Sequence, residues 1–387
     1  MTTFIITAPA YTCLFWALLF LMGYRRNDAS KRILFWFMVT ASSLYLCHYC
    51  YFQRLERLLP ISDSLYSFAN MAVYPLYYLY IHKLSTNQQP RRWTIISLLP
   101  ALFISLGTAL SYGLEDAETR SAFINNYLYH ESMFCDKCGI WLPAIHVAAR
   151  IIFPAQVILY TMLALNDIRT FKRRIENYYS NTEHRSPKLQ TALMGLMLTA
   201  AILSVILSLL SKSFFVDHNH VLLFLSTIFT LLLFMIGYDG YRCNFSESVF
   251  QHDIDVTEEV TESKPVSNTE EEIITKEAAK SLAERLLRVM ETEQLYLMPD
   301  LKISDVTQKL QTNRNYMYYA INNHLQTSFV EIVNRMRIEH AQTLLKDNPH
   351  SNTIELMLQC GYTSESSFFR NFKRVTGQTP KQWLNKH

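Results

Sequence analysis

Charged residues are scarce in this chain of 387 residues, of which 18% are Asp, Glu, Lys or Arg and 50% are apolar. That charge content is low for a soluble protein. The sequence also lacks an HExxH motif, a GxSxG motif and a glycine-rich phosphate-binding loop. Hydrolase and kinase chemistry therefore has no visible residues here, and we expect neither an enzyme nor a bound cofactor.

Apolar residues are concentrated before about Tyr241, where they form seven segments near the length of a membrane-spanning helix. Such a helix needs roughly 20 mainly apolar residues, and about 17 is the lower limit. The third and seventh segments are close to that limit, so a count of six spans stays open. The segments are Phe4–Tyr24, Ile33–Phe52, Leu65–Ile81, Trp93–Gly113, Trp141–Leu165, Leu189–Phe215 and Val221–Tyr238. They predict a polytopic, all-α membrane bundle of about seven helices over residues 1–242.

The basic residues predict the orientation of this bundle. With the N-terminus outside, the inner loops hold thirteen Lys and Arg residues and the outer loops hold five. Because basic residues in short loops favour the cytoplasmic side, we expect the chain after the last span in the cytoplasm. The first segment has no basic residue before it, unlike a cleaved signal peptide. A soluble core of buried helices is the alternative, and the basic flanks of such long runs disfavour it.

An acidic stretch separates this bundle from a different kind of sequence. Residues 253–272 read DIDVTEEVTESKPVSNTEEE, a composition without aromatic side chains that cannot bury enough apolar surface to fold. We interpret residues 243–272 as a flexible linker. Residues 273–387 then show helical periodicity without strand-like alternation, which predicts a separate all-α domain.

The stretch GYTSESSFFRNFKRVTGQTP, which begins at Gly361, has the order of a helix-turn-helix: a short helix, a turn with glycine, and a second helix. Phe368 and Phe372 lie four residues apart and are expected in the core. The opposite face is suited to a DNA major groove. That face carries Glu365, Ser366, Phe369, Arg370 and Lys373. For Arg370 we favour a bidentate contact to guanine over a surface ion pair.

The tail from about Leu295 to Leu384 resembles the DNA-binding domain of the AraC/XylS family of bacterial transcription regulators. The resemblance lies in GYxSxSxFxRxFK, in VxGxTP and in the upstream NRMRIEHAQTLL. It implies two helix-turn-helix units, at residues 303–325 and 353–376, joined by one helix over 329–345. It also implies that the first recognition helix presents Arg314, Asn315, Tyr318 and Tyr319 to DNA. Gln311 and Gln326 stand where the family often has glycine, and Tyr319 where it often has arginine.

The resemblance implies a transcription regulator of the bacterial inner membrane that binds double-stranded promoter DNA with a cytoplasmic domain. The membrane half resembles multi-spanning AraC-type regulators of some bacteria, in architecture and in the aromatic YPLYYLYIH of the third segment. A simple anchor needs only one span, so we expect a sensor of a small ligand or another signal. Membrane lipid, RNA polymerase and a second copy of the chain are further candidate partners. A scaffold whose tail binds protein instead of DNA is an alternative.

Arg150 places a charge near the middle of the fifth apolar segment, where it costs at least ~2.5 kcal/mol and needs a partner. His146 lies one turn away, and Asn70 lies in the third segment. These three residues are candidates for binding an anionic ligand that enters from outside. In the structural alternative, backbone carbonyls and tyrosine hydroxyls satisfy Arg150.

Two CxxC pairs, Cys47 with Cys50 and Cys135 with Cys138, are predicted on the outer side. Disulfides that fix the outer loop are the favoured interpretation, and a zinc or redox site and free thiols stay open. We assign no metal-binding residues. The alternative function is a periplasmic-facing thiol or metal redox protein that uses these pairs, but it leaves the DNA-binding tail unexplained.

The count of basic residues yields the first testable prediction. A topology reporter fused after Gly113 should be active in the periplasm, and one fused after Arg174 should be active in the cytoplasm, because the inner loops carry thirteen of the basic residues. Alkaline phosphatase and fluorescent-protein fusions at both positions measure this. The reverse pattern would refute the orientation.

Overall fold

The computed structural model describes residues 2–23, 29–86, 91–129, 137–182, 188–208, 219–242, 250, 276–349 and 352–386. Within these ranges the chain forms helices and turns and no strand, as the all-α prediction requires. It falls into two compact units. The first comprises Met1–Arg169 and Pro187–Ser248, and the second comprises Thr170–Ser186 and Val249–His387. Most of the predicted linker, and Cys135, lie outside the described residues.

The first unit is built from long apolar helices joined by short connections. They are α1 (Thr2–Met22), α2 (Ala29–Phe52), α3 (Leu59–Ser85), α4 (Arg91–Leu114), α5 (Ala117–Ala122), a π-helix at Phe123–Tyr129, α6 (Trp141–Tyr178), α7 (Lys188–Ser208) and α8 (Asn219–Arg242). Within the described ranges, each of the seven predicted apolar segments is helical. The main difference is α6, which continues well past the predicted end at Leu165 and carries its last turns into the second unit.

Four helices of the described chain are long and apolar enough to cross a membrane, and a shorter apolar helix covers Thr7–Met22. The four stretches are Ala29–Phe52, Ile96–Leu114, Trp141–Tyr178 and Leu223–Arg242. Their outward surfaces expose large apolar side chains, including Phe103, Ile151 and Phe224 at 67–69%. A contiguous apolar exterior of this kind is typical of a surface that contacts lipid.

Two glycines of α8 allow neighbouring helices to approach closely. A Cβ atom at Gly237 would lie 2.3 Å from the ring of Trp16 in α1, and one at Gly240 would lie 2.0 Å from Leu34 in α2. Small residues at helix contacts are a common way to pack helices in membranes. Trp16 and Leu34 are buried in the core of the first unit as a result.

The second unit consists mainly of short helices around one long helix. They are α9 (Lys276–Thr292), a 3₁₀ turn at Leu295–Leu297, α10 (Ile303–Leu310), α11 (Arg314–Tyr319), a π-helix at Ala320–His324, α12 (Phe329–Asp347), α13 (Thr353–Gln359), α14 (Glu365–Thr376) and α15 (Pro380–Leu384). The predicted order of two helix pairs joined by one long helix is confirmed. The first recognition helix departs from a regular α-helix, because it changes to a π-helix at Ala320.

Two glycines in the second unit adopt the left-handed backbone that only glycine takes without strain. Gly377 ends α14 at φ +76°, and Gly361 lies in the turn before α14 at φ +75°. Their surroundings differ. A Cβ at Gly361 would lie 2.4 Å from the carbonyl oxygen of Leu297, whereas nothing lies within 4 Å of one at Gly377. Gly361 is therefore required for two reasons: its backbone is left-handed, and a side chain there would clash with the backbone of Leu297.

This difference predicts the stability of two matched variants. Gly377→Ala adds only left-handed strain and should destabilise the second unit by about 1 kcal/mol. Gly361→Ala adds the same strain and must also displace the backbone at Leu297, so its cost should be clearly larger. Hydrogen exchange of the α14 amides in the full chain measures both free energies of opening. Equal costs would contradict the close approach at Leu297.

Candidate nucleic-acid interface

The second helix-turn-helix is held in shape by side chains that cap its helices. Asn352 accepts a hydrogen bond from the Ile354 amide at the start of α13, and Ser364 accepts one from the Ser367 amide at the start of α14. These are preferred N-cap residues. In the turn between the helices, the Tyr362 amide donates to the Met357 carbonyl at 3.0 Å. The two helices therefore meet at a tight and locally defined angle.

The inner face of α14 is anchored by aromatic residues. Phe368 and Phe372 are fully buried, as predicted, and their rings contact Tyr362 and Trp383. The opposite face is accessible. The five residues that the sequence places there, Glu365, Ser366, Phe369, Arg370 and Lys373, are all exposed. The helix thus presents the predicted set outward while its other side is fixed in the core.

The charges on α14 are distributed in a way that suits a recognition helix. Glu365 lies in its first turn and Lys373 and Arg374 lie in its last turn, which complements the helix dipole. The Arg370 guanidinium donates to the Ser367 hydroxyl at 3.3 Å, within its own helix. Arg374 instead lies 3.7 Å from the Glu331 carboxylate of α12. Arg370 is therefore the better candidate for contact with a base.

The first helix-turn-helix is more strained than the second. Gln311 closes α10 at φ +49° and Gln326 follows the π-helix at φ +50°. These are the two positions where the AraC/XylS pattern often has glycine, and a left-handed backbone explains that preference. A non-glycine residue there costs roughly 1 kcal/mol. The fold is retained because Arg285 of α9 donates to the Leu310 carbonyl at the same helix end.

The four predicted residues of the first recognition helix are not equally accessible. Asn315 and Tyr319 are exposed, whereas Arg314 and Tyr318 are half-buried. The side chain of Asn313 accepts a hydrogen bond from the Asn315 amide at 2.7 Å and so begins the helix. Asn315 and Tyr319 lie one turn apart and share a face, so this pair is the better candidate surface of the first helix-turn-helix.

Arg337 of α12 connects the two helix-turn-helix units, and the sequence analysis missed it. Its guanidinium is buried, donates to the carbonyls of Tyr296 and Met298 at 2.6 Å each, and lies 5.2 Å from the ring centroid of Tyr362. Burial lowers the pKa of Arg337 to about 10, which leaves it charged at neutral pH. Arg337 falls four residues after buried Val333 and four before buried Ala341, so its position on the buried stripe of α12 was a usable signal.

A short segment from the end of α6 belongs to the same unit as the DNA-binding helices. Tyr178 and Tyr179 are fully buried and contact the ring of Phe250. The Ser180 amide donates to the Leu301 carbonyl at 2.9 Å, immediately before the first helix-turn-helix. The Asn181 amide group donates to the Thr363 hydroxyl at 3.1 Å, in the turn of the second. This segment therefore contacts both halves of the DNA-binding domain.

In the first unit, the three candidate ligand-binding residues have different surroundings. Arg150 is exposed, and its guanidinium lies 5.9 Å from the ring centroid of Tyr127. His146 also contacts Tyr127 but pairs with Asp63, its Nε2 lying 3.1 Å from Oδ2. Asn70 is half-buried in α3, about two turns beyond Asp63. The acidic partner Asp63 was missed because it precedes the predicted third apolar segment.

The described cysteines of the two CxxC pairs differ in their bonding state. Cys47 and Cys50 are free thiols, so a disulfide within the first CxxC pair is absent. Cys138 is disulfide-bonded. Among the described residues, no group of three or more His, Cys, Asp or Glu side chains is placed to hold a metal ion.

Comparison with known proteins agrees with the geometry of the tail. A family model described as "Helix-turn-helix domain" matches residues 306–386. An "Uncharacterized HTH-type transcriptional regulator" of Staphylococcus aureus is 30% identical over 100 residues, which cover 26% of this chain and 13% of that protein. The "Melibiose operon regulatory protein" of Escherichia coli strain K12 is 30% identical over 83 residues, covering 21% of this chain and 27% of that protein. No solved structure matches.

The geometry of α14 predicts how one substitution changes DNA recognition. Two recognition helices joined by one rigid helix should protect two boxes about 10 bp apart on one face of the duplex. Arg370→Ala should cost about 1–3 kcal/mol and relax specificity at one base position only. Arg374→Ala removes the same charge one turn away, from a residue paired with Glu331, and serves as the control. Footprinting and binding to single-base promoter variants measure this, and a loss that is uniform over all sequences would contradict base recognition by Arg370.

Proposed function

We propose that this chain, whose C-terminal region is a helix-turn-helix domain of the AraC type, is a multi-pass transcription regulator of the bacterial inner membrane. It binds promoter DNA with its cytoplasmic tail and changes that binding when its membrane unit receives a signal. The matched relatives are transcription regulators, and we propose no enzymatic activity for the chain. Seven spans, with the N-terminus outside, agree best with the seven apolar helices and with the basic loops.

The observation that carries this proposal is helix α6. The helix is apolar enough to cross a membrane over part of its length, and its last turns fold with the DNA-binding domain. A passive tether would not need the contacts that Ser180 and Asn181 make with the two helix-turn-helix units. A continuous helix transmits a rotation or a shift along its axis, because its backbone hydrogen bonds resist local deformation.

We also propose that the signal is a small anionic ligand held by Arg150, with His146 and Asn70 nearby. Within the described part of the chain, Arg150 is exposed, forms no ion pair with a carboxylate and lies beside the Tyr127 ring. A planar guanidinium binds carboxylate or phosphate through two parallel hydrogen bonds.

DNA binding by two copies of the chain would be favoured by the membrane, which raises their effective concentration. RNA polymerase and lipid are the further partners of this proposal.

A periplasmic redox function is the weaker candidate. It requires paired thiols that alternate between dithiol and disulfide, and Cys47 and Cys50 are free while Cys138 is already bonded. It also gives no role to the tail.

Substitution of Arg150 tests the signalling proposal. Arg150→Gln should leave the protein inserted and bound to DNA but abolish the change in transcription from a bound promoter under conditions that alter wild-type output. Arg150→Lys should rescue only partly, because lysine lacks the planar fork. Arg54→Gln is the matched control, since Arg54 lies 4.9 Å from the centroid of Tyr129 and is not a proposed ligand residue. Promoter-reporter assays with immunoblots of the membrane fraction measure this, and unchanged signalling or degradation of Arg150→Gln would contradict the ligand role.

A further inference from the structure

His146, Asp63 and Tyr112 form a polar cluster between α3, α4 and α6, away from the DNA-binding unit. The His146 Nε2 atom lies 3.1 Å from Oδ2 and 3.3 Å from Oδ1 of Asp63. The Tyr112 hydroxyl donates to Asp63 Oδ2 at 2.9 Å. The other ring nitrogen, His146 Nδ1, lies 3.0 Å from the Leu142 carbonyl oxygen. Each nitrogen of this imidazole therefore faces an oxygen.

These contacts favour one proton count over another. A carbonyl oxygen and an ionised carboxylate only accept hydrogen bonds, and a neutral imidazole can donate from only one nitrogen. With a neutral His146 and an ionised Asp63, one nitrogen lone pair would point at an oxygen lone pair. An imidazolium donates from both nitrogens and satisfies Leu142 and Asp63 together. A protonated Asp63 that donates to Nε2 is the equivalent arrangement, with the same proton on the other atom.

The burial of the cluster makes an unsatisfied arrangement costly. The side chains of His146 and Asp63 are 16% and 8% exposed, and Phe123 packs 5.3 Å from the imidazole centroid. An unpaired ionised carboxylate in such a place is strongly disfavoured.

Several other titratable groups lie around the pair and act on its charge. Arg150, one turn along α6, disfavours a positive imidazole, whereas the Asp63 carboxylate favours it. The nearby groups on the packed elements are Cys47 of α2, Tyr66 of α3, Tyr112 of α4, Glu115 beyond α4, Tyr127 of the π-helix and Arg150. Burial raises the pKa of the Glu115 carboxyl. Asp63 is in direct contact with His146, and its carboxylate favours the charged imidazole.

We infer that His146 and Asp63 form a proton-binding site, occupied at neutral pH and emptied at alkaline pH, with Tyr112 as the second donor to the carboxylate. Loss of the proton removes a hydrogen bond between α3 and α6. A second pair, His82 with Asp167 at 2.8 Å, joins the same two helices further along. If the proposed function holds, proton release would act on α6 and so provide a signal that is independent of any ligand at Arg150.

Nitrogen-15 NMR of the full chain in lipid nanodiscs, with labelled histidine, tests the site without reference to DNA binding or transcription. The His146 signal is identified by its absence in His146→Gln. It should be that of an imidazolium at pH 7.5, where an exposed histidine with a midpoint of about 6.5 is mostly neutral. A neutral ring together with an infrared carbonyl band of protonated Asp63, absent in Asp63→Asn, would equally show the retained proton.

Matched variants separate the site from a general effect of the fold. His82→Gln should leave the His146 signal and its pH midpoint unchanged. Asp63→Asn should lower that midpoint by at least one pH unit, which is a tenfold change in proton affinity, because an amide oxygen carries no charge. A neutral His146 beside an ionised Asp63 at pH 7.5 would overturn the inference, as would an unchanged midpoint in Asp63→Asn. Either failure would leave the proposed DNA-binding function untouched.

Discussion

The buried guanidinium of Arg337 is the interaction on which the geometry of the DNA-binding unit depends. Its two 2.6 Å hydrogen bonds fix the loop at Tyr296 and Met298, which precedes the first helix-turn-helix. Its contact with Tyr362, together with the close approach of Gly361 to Leu297, fixes the turn of the second. The buried amide of Asn334 reinforces the same region by accepting a hydrogen bond from the Tyr362 hydroxyl at 2.8 Å. A buried charge is stable only when it is fully hydrogen-bonded, so these partners hold one another in place.

This arrangement explains how two recognition helices can bind one DNA site with a defined spacing between them. Helix α12 separates the two helix-turn-helices, and its Arg337 and Asn334 side chains contact the loop before the first and the turn of the second. The second helix-turn-helix is locally well formed, with an N-cap at each helix and glycine at both left-handed positions. The first helix-turn-helix carries glutamine at two left-handed positions, and its recognition helix continues as a π-helix. The second helix-turn-helix is therefore the better candidate for base-specific contacts, and the first for contacts that depend more on DNA shape or phosphate.

Much of this architecture could be predicted from the sequence, because the signals are local. Apolar runs predicted every long helix of the first unit, and the positions of Gly361, Phe368, Phe372 and Gly377 predicted the second helix-turn-helix. Contacts between distant parts of the chain could not be predicted in this way. The apolar segments leave the residues after Tyr178 between two predicted spans, and only their contacts with Leu301 and Thr363 assign them to the DNA-binding unit. Asp63 was overlooked for a similar reason, since its pairing with His146 depends on how α3 and α6 pack.

The central claim is that one uncleaved chain binds promoter DNA while it resides in the membrane. The most direct measurement is genome-wide mapping of DNA cross-linked in intact cells to the full-length protein, recovered from the membrane fraction. The account predicts discrete promoter peaks that share a two-box sequence with a spacing of about one helical turn. Recovery of DNA only with a soluble fragment that has lost the first unit, or no enrichment of any promoter with the full-length protein, would contradict it.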